Sequence, residues 1–215
     1  MKMYTRLSMY WLAMVIFSQC NSTYTNKEKG FFKIDIPAHQ YVKFDRPGFP
    51  YTFEYPVYGK ITQDSGYFQQ DPDNPYWINV DFQNFNARIF LSYKTVGGRS
   101  IYKIKTATGY RDSTGVNSLD AMVNDAFKLT YKNDIKANDI KEVAVTTPNN
   151  AGGMIFYLGG SVATANQFFL TDSTKHFLRG ALYFYATPNE DSLRPVNDFL
   201  QEDVRHLINT LKWTR

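Results

Sequence analysis

Apolar and polar positions alternate along much of this chain, and the alternation predicts strands. Phe49, Tyr51, Phe53 and Tyr55 alternate with Pro50, Thr52, Glu54 and Pro56, which predicts a strand with one buried face, placed at a sheet edge by its prolines. After a turn at Asp71–Pro75, Tyr76, Ile78, Val80 and Phe82 alternate with Trp77, Asn79, Asp81 and Gln83. Ile89, Leu91 and Tyr93 continue as a third strand beyond a connection at Asn84–Asn86. From Val96 to Val116, Gly, Thr, Lys and Tyr mix with no steady period, which predicts a loop with one short strand at Ile101–Ile104.

The period then changes to that of a helix. Leu119, Met122, Val123, Ala126, Phe127 and Thr130 recur at helical spacing behind a cap at Asn117 or Ser118, with Asp120 at the positive end and Lys128 and Lys132 at the negative end. Ile140–Thr147, Gly153–Thr164 and Gln167–Leu170 follow as a meander, and His176–Ala186 is the most apolar strand, expected at the centre of the sheet. Ser192 opens a terminal helix that tolerates Pro195 in its first turn and carries one stripe of Leu193, Val196, Leu200, Val204, Leu207 and Leu211. The fold class is therefore α+β, an antiparallel sheet packed by helices. Its expected form resembles the three-layer sandwich of the Mog1/PsbP group, a likeness of shape that assigns no function.

The first 19 residues have a different pattern. Lys2 and Arg6 precede an apolar run, Met9–Phe17, that ends in Ser18-Gln19-Cys20, the layout of a signal peptide. Nine residues reach only about 14 Å as a helix, against a hydrocarbon core of roughly 30 Å, so the run is too short for a permanent span. Cys20, the one cysteine, falls where signal peptidase II leaves an N-terminal cysteine for acylation, although Gln19 is larger than the usual residue there. The alternative is an ordinary secretory signal with a free or buried thiol. Two or more acyl chains give the stable anchoring that one cannot. The expected organisation is a signal peptide at 1–19, a lipidated cysteine with a polar flexible tether at 20–30, and one domain at 31–215. Because Asn21–Asn26 holds no acidic cluster, the protein is expected to face the periplasm.

Charge and local chemistry narrow the function classes. Loss of Lys2 and Arg6 from the 24 basic residues leaves 22 against 20 acidic, scattered without a basic stripe, so nucleic acid is not an expected partner. His39, His176 and His206 lie far apart in sequence, which excludes short-range metal motifs. Gly97-Gly98, Gly152-Gly153 and Gly159-Gly160 read as turns or bulges, since none stands in a phosphate-binding arrangement. Glu190-Asp191 and Glu202-Asp203 read as helix-start and solvent-face charges, and His206 likewise. Tyr76, Trp77, Tyr102 and Tyr110 are packing residues or, if exposed, a contact surface for a sugar or a protein. Asp172-Ser173-Thr174-Lys175-His176 places a hydroxyl, an imidazole and a carboxylate close together, but without the elbow of a nucleophilic serine it reads as a turn. A hydrolase or small-ligand binder using Ser173 and His176 is the competing function.

The run Gln167–Phe184 closely resembles the gliding-motility lipoprotein family GldD of Bacteroidota. Gly30–Pro37, Phe53–Tyr58, Lys128–Lys132, Thr187–Leu193 and the ending at Trp213 resemble it too. The resemblance implies an accessory, not an enzyme, of the gliding machinery and the linked type IX secretion system. Its partners would be other envelope proteins, and the membrane through the lipid; no cofactor or metal is implied. Thr171, Asp172, Ser173, Thr174 and Lys175 are then the candidate contact tip.

Overall fold

The computed structural model describes residues 34–63, 74–132 and 137–214. The chain divides between Ile34 and Asp35, and the account that follows concerns Asp35–Arg215. The signal peptide, Cys20, the tether and most of the Asp71–Pro75 turn lie outside the described residues.

The large sheet is seven-stranded and antiparallel throughout. Its strands are β3 (Lys60–Gln63), β4 (Ile78–Phe82), β5 (Ala87–Thr95), β8 (Ala137–Thr146), β9 (Gly152–Gly160), β10 (Asn166–Thr171) and β11 (His176–Phe184). They lie in the order β3-β4-β5-β11-β10-β9-β8, so β11 is central, as expected of the most apolar strand in the sequence. Leu178 and Leu182 on β11 are fully buried, and truncating either to Ala should cost about 2–5 kcal/mol. Gly180 between them is required by packing: a Cβ there would stand 2.2 Å from the ring of Phe168 on β10.

Each face of this sheet is covered by different elements. Helix α1 (Leu119–Tyr131), capped by Ser118, sets Met122 and Ala126 on Phe156, Phe169 and Phe177. On the opposite face lie helix α2 (Glu190–Thr210) and a small sheet, in the order β1 (Tyr41–Phe44), β2 (Tyr51–Pro56) and β12 (Lys212–Trp213). Tyr51 meets Tyr93 at 5.8 Å between ring centres, Trp213 stacks on His176, and Asn166 donates to Asn197 of α2. The result is an α+β fold of mostly antiparallel sheet with two helices.

Three expectations change. β2 is the middle strand of the small sheet and not an edge, because its prolines sit at its margins: Pro56 closes the strand and Pro50 precedes it, where neither removes an internal ladder bond. α2 begins at Glu190 with Asn189 as its N-cap, accepting from the Ser192 N–H, so Pro195 falls in the second turn. Val96–Val116 is not a loop. It is a hairpin of β6 (Arg99–Thr106) and β7 (Gly109–Val116), turning through Gly109 at φ +138°. It carries no period because neither face is buried: Ile101, Ile104, Tyr110 and Val116 are all exposed, and alternation records burial rather than pairing.

The hairpin closes on itself. Gly97 N–H donates to Asn117 O and Asn117 N–H to Gly98 O, both at 2.8 Å, so its two ends already adjoin. Replacing 99–116 by a short Gly-Ser turn should therefore shift the thermal midpoint by less than about 4 °C, the effect of about 1 kcal/mol in a domain of this size. A collapse of the cooperative transition in calorimetry would show that the hairpin holds the core.

Candidate functional site

The β10–β11 connection is a turn built by one carboxylate. Asp172 Oδ1 accepts from the backbone N–H groups of Thr174, Lys175 and His176 at 3.0, 2.8 and 2.8 Å. Thr171 Oγ1 donates to His176 O at 2.6 Å and accepts from Ser173 N–H at 2.9 Å. Ser173 takes φ +64°, and Lys175 O accepts from Val96 N–H, which fastens the turn to the end of β5. Ser173, Thr174 and Lys175 are exposed at the apex, whereas Thr171 is buried and Asp172 half-buried beneath them.

His176 is turned inward from this apex. Its ring is 5 % exposed, Nδ1 stands 2.8 Å from the Tyr93 hydroxyl, and Trp213 stacks on it at 5.0 Å. The tautomer that suits these neighbours has Tyr93 donating to Nδ1 and the Nε2–H facing Asp172 Oδ2, 4.0 Å away. Tyr93 and Asp172 therefore face the imidazole nitrogens, while Ser173 stands exposed at the apex. The turn does not pair nucleophile with base in the way hydrolysis requires.

Beside the turn opens a cleft of about 440 Å³ between Lys175, His176, Thr95 and the β1–β2 loop, Asp45–Pro50, with Tyr76 and Tyr93 on its wall. The Arg46 guanidinium lies over the rings of Phe44 and Phe49, at 5.7 and 5.3 Å from their centres. Tyr76 and Trp77 pack here, Trp77 donating from Nε1 to Tyr93 O, while Tyr110 stands exposed on the hairpin. The Tyr102 side chain lies outside the described residues.

A second polar cluster has no counterpart in the sequence reading. Asp203 is 1 % exposed, which corrects its assignment to a solvent face; only its neighbour Glu202 is exposed. Asp203 Oδ1 meets His39 Nδ1 at 2.8 Å and accepts from Tyr41 OH at 3.0 Å, and Oδ2 accepts from Tyr58 OH at 2.5 Å. His39 Nε2 faces Glu202 at 3.1 Å, and the ring stacks on Phe199. His206 is likewise no bare surface charge: it stacks under Tyr41 at 3.5 Å and lies 2.7 Å from Glu54. One signal could have found Asp203, since it falls at helical spacing between Leu200 and Leu207 on the apolar stripe. Nothing in the sequence around His39, Tyr41 or Tyr58 points to their convergence on it.

The electrostatics follow from burial and these partners. Burial, and then Asp203, push the Tyr41 and Tyr58 phenols well above the ordinary range, so both remain donors. Burial alone would raise the Asp172 carboxyl, but the three backbone N–H groups and His176 outweigh it and hold it below its usual value. Burial lowers His176, against the pull of Asp172. Burial also lowers Arg179 to about 10, its guanidinium donating to Gln167 Oε1 at 2.6 Å. Among the described residues, no three His, Cys, Asp or Glu side chains are placed to share a metal, and no helix is long and apolar enough to cross a membrane.

Comparison with known proteins gives one family. The family model described as gliding motility lipoprotein GldD matches residues 21–213. No curated protein matches the sequence. Among solved structures, cyanobacterial PsbP (CyanoP) from Synechocystis sp. PCC 6803 is similar at 9 % identity with a TM-score of 0.41, over 83 % of this chain and 95 % of that one.

Two predictions follow from the clusters. Asp203→Ala strands three donors around an emptied site and should cost about 3–5 kcal/mol in denaturant unfolding; a loss under about 1 kcal/mol would remove Asp203 from the account of stability. The native His176 takes up its proton at lower pH than the unfolded chain, whose imidazole titrates near 6.5. The unfolded state therefore binds more protons in that interval, and stability should rise with pH up to about 6.5 and be lost below it. In His176→Phe the slope of stability between pH 5 and 6.5 should be smaller than in the parent, as measured by urea midpoints.

Proposed function

Because this chain belongs to the family of gliding motility lipoproteins GldD, we propose that it is a lipid-anchored accessory of gliding motility and of the linked type IX secretion system. It works by binding other envelope proteins from the periplasmic side, held to its membrane through Cys20. The observation that most supports binding is the apex of the β10–β11 turn, where Ser173, Thr174 and Lys175 are exposed on a backbone that Asp172 and Thr171 hold in one conformation. A surface already ordered loses little entropy when a partner docks. The turn also extends the central strand, so the tip moves with the core of the domain. Anchoring adds to this: confined to one membrane surface, a domain meets anchored partners at high effective concentration, and weak contacts suffice to hold an assembly.

Deletion of the gene should slow colony spreading and reduce export of type IX cargo, with both restored by the wild-type chain. Cys20→Ala should lose labelled palmitate and restore neither fully, and a photo-crosslinker at Thr174 should capture an envelope protein in cells. Normal spreading and normal export in the deletion strain would refute the assignment.

A further inference from the structure

The cleft beside the turn has a chemistry of its own. Of the charged groups that line it, Asp45 is engaged by Lys43, and burial lowers the pKa of His176 and so disfavours its charged form. That leaves Arg46 and Lys175 as its cations, and among the described residues neither meets a carboxylate. Both are exposed; Arg46 rests on two aromatic rings before any ligand arrives, and the backbone that carries Lys175 is fixed by Asp172 and Val96. A planar guanidinium ordered by stacking presents its fork to a carboxylate with little further loss of freedom. Between the cations the wall is aromatic, formed by Phe49, Tyr76 and Tyr93, with rings set edge to face at 5.6 and 5.7 Å. At about 440 Å³ the cleft lies within the range of roughly 300–1,000 Å³ typical of ligand sites.

We infer that this cleft receives a short acidic segment of a partner protein, with carboxylates on Arg46 and Lys175 and an apolar or aromatic side chain against Phe49, Tyr76 and Tyr93. A small inorganic anion would use the cations and leave the aromatic wall idle; a neutral apolar segment would do the reverse. A peptide with acidic groups flanking one aromatic residue uses both. The inference rests on the protein-binding reading above and names the chemistry of the partner at that surface.

The test uses the full chain purified in detergent, read by tryptophan fluorescence, since Trp77 donates to Tyr93 on the cleft wall and Trp213 stacks on His176. The probes are Ac-Glu-Phe-Glu-NH2, its Gln-Phe-Gln counterpart and inorganic phosphate. The acidic peptide should bind at least tenfold more tightly than the other two. Arg46→Gln and Lys175→Gln, both at exposed positions, should each weaken it about tenfold, the scale of one charge-assisted hydrogen bond. Equal affinity for the neutral peptide, equal affinity for phosphate, no binding of the acidic peptide, or unchanged affinity in the double variant would each overturn the inference. Introduced into the deletion strain, the double variant separates the two readings. If it restores spreading and export while the wild-type protein binds no acidic peptide, the cleft assignment fails alone. If the deletion strain shows no defect, the functional reading fails first.

Discussion

Strand β11 carries apolar side chains on both faces, and each must be kept from water. That requirement arranges the rest of the molecule. A strand so placed belongs at the centre of a sheet, and a sheet with such a strand needs a cover on either side. The two covers differ in kind. On the side of Phe177 one amphipathic helix suffices, while on the side of Leu178 and Leu182 the cover is composite, made from the small sheet and α2. β2 is buried on both faces, with Tyr51 and Phe53 on one and Thr52 on the other.

A composite cover has to be fastened, and Asp203 is where its parts meet. Its carboxylate gathers His39, Tyr41 and Tyr58, three residues that lie more than 140 positions earlier in the chain, onto the face of α2. A buried carboxylate is costly to desolvate, and only a full set of donors makes the arrangement tolerable. The cluster is thus weak evidence for extra stability over an apolar substitute. It does fix one seating of His39, Tyr41 and Tyr58 on α2, the one in which these atoms are satisfied.

What could be read from the sequence follows from where burial is local. β5 shows its alternation because one face is covered and the other is not; β11 shows none because both are covered; α1 shows its stripe and a cap at Asn117 or Ser118, which the structure settles as Ser118. Of the hairpin of β6 and β7 only the short strand at Ile101–Ile104, within β6, was legible, since with neither face covered its residues carry little record of pairing. Pro50 and Pro56 misled because proline excludes a residue from ladder bonds, not a whole strand from the middle of a sheet. At the candidate site the Thr171–Lys175 turn was visible from its residue types, and the family from the long run around it. The cleft was not, because Arg46 and Lys175 are brought together only by the docking of one sheet on another. Asp203 could have been questioned from its helical position, but its partners could not have been named.

The fastening at Asp203 also bears on mechanics. If the domain is anchored and bound as proposed, it comes under tension, and a pull entering at Asp35 reaches His39 and Tyr41 before it reaches the ladder between β1 and β2. Those contacts are hydrogen bonds to a buried acid, which lose their strength within a small displacement, unlike apolar packing, which slides. The junction should therefore be stiff and brittle, yielding abruptly rather than creeping. How long it withstands a steady force is then set by the rate at which the cluster opens, a quantity that equilibrium stability does not report.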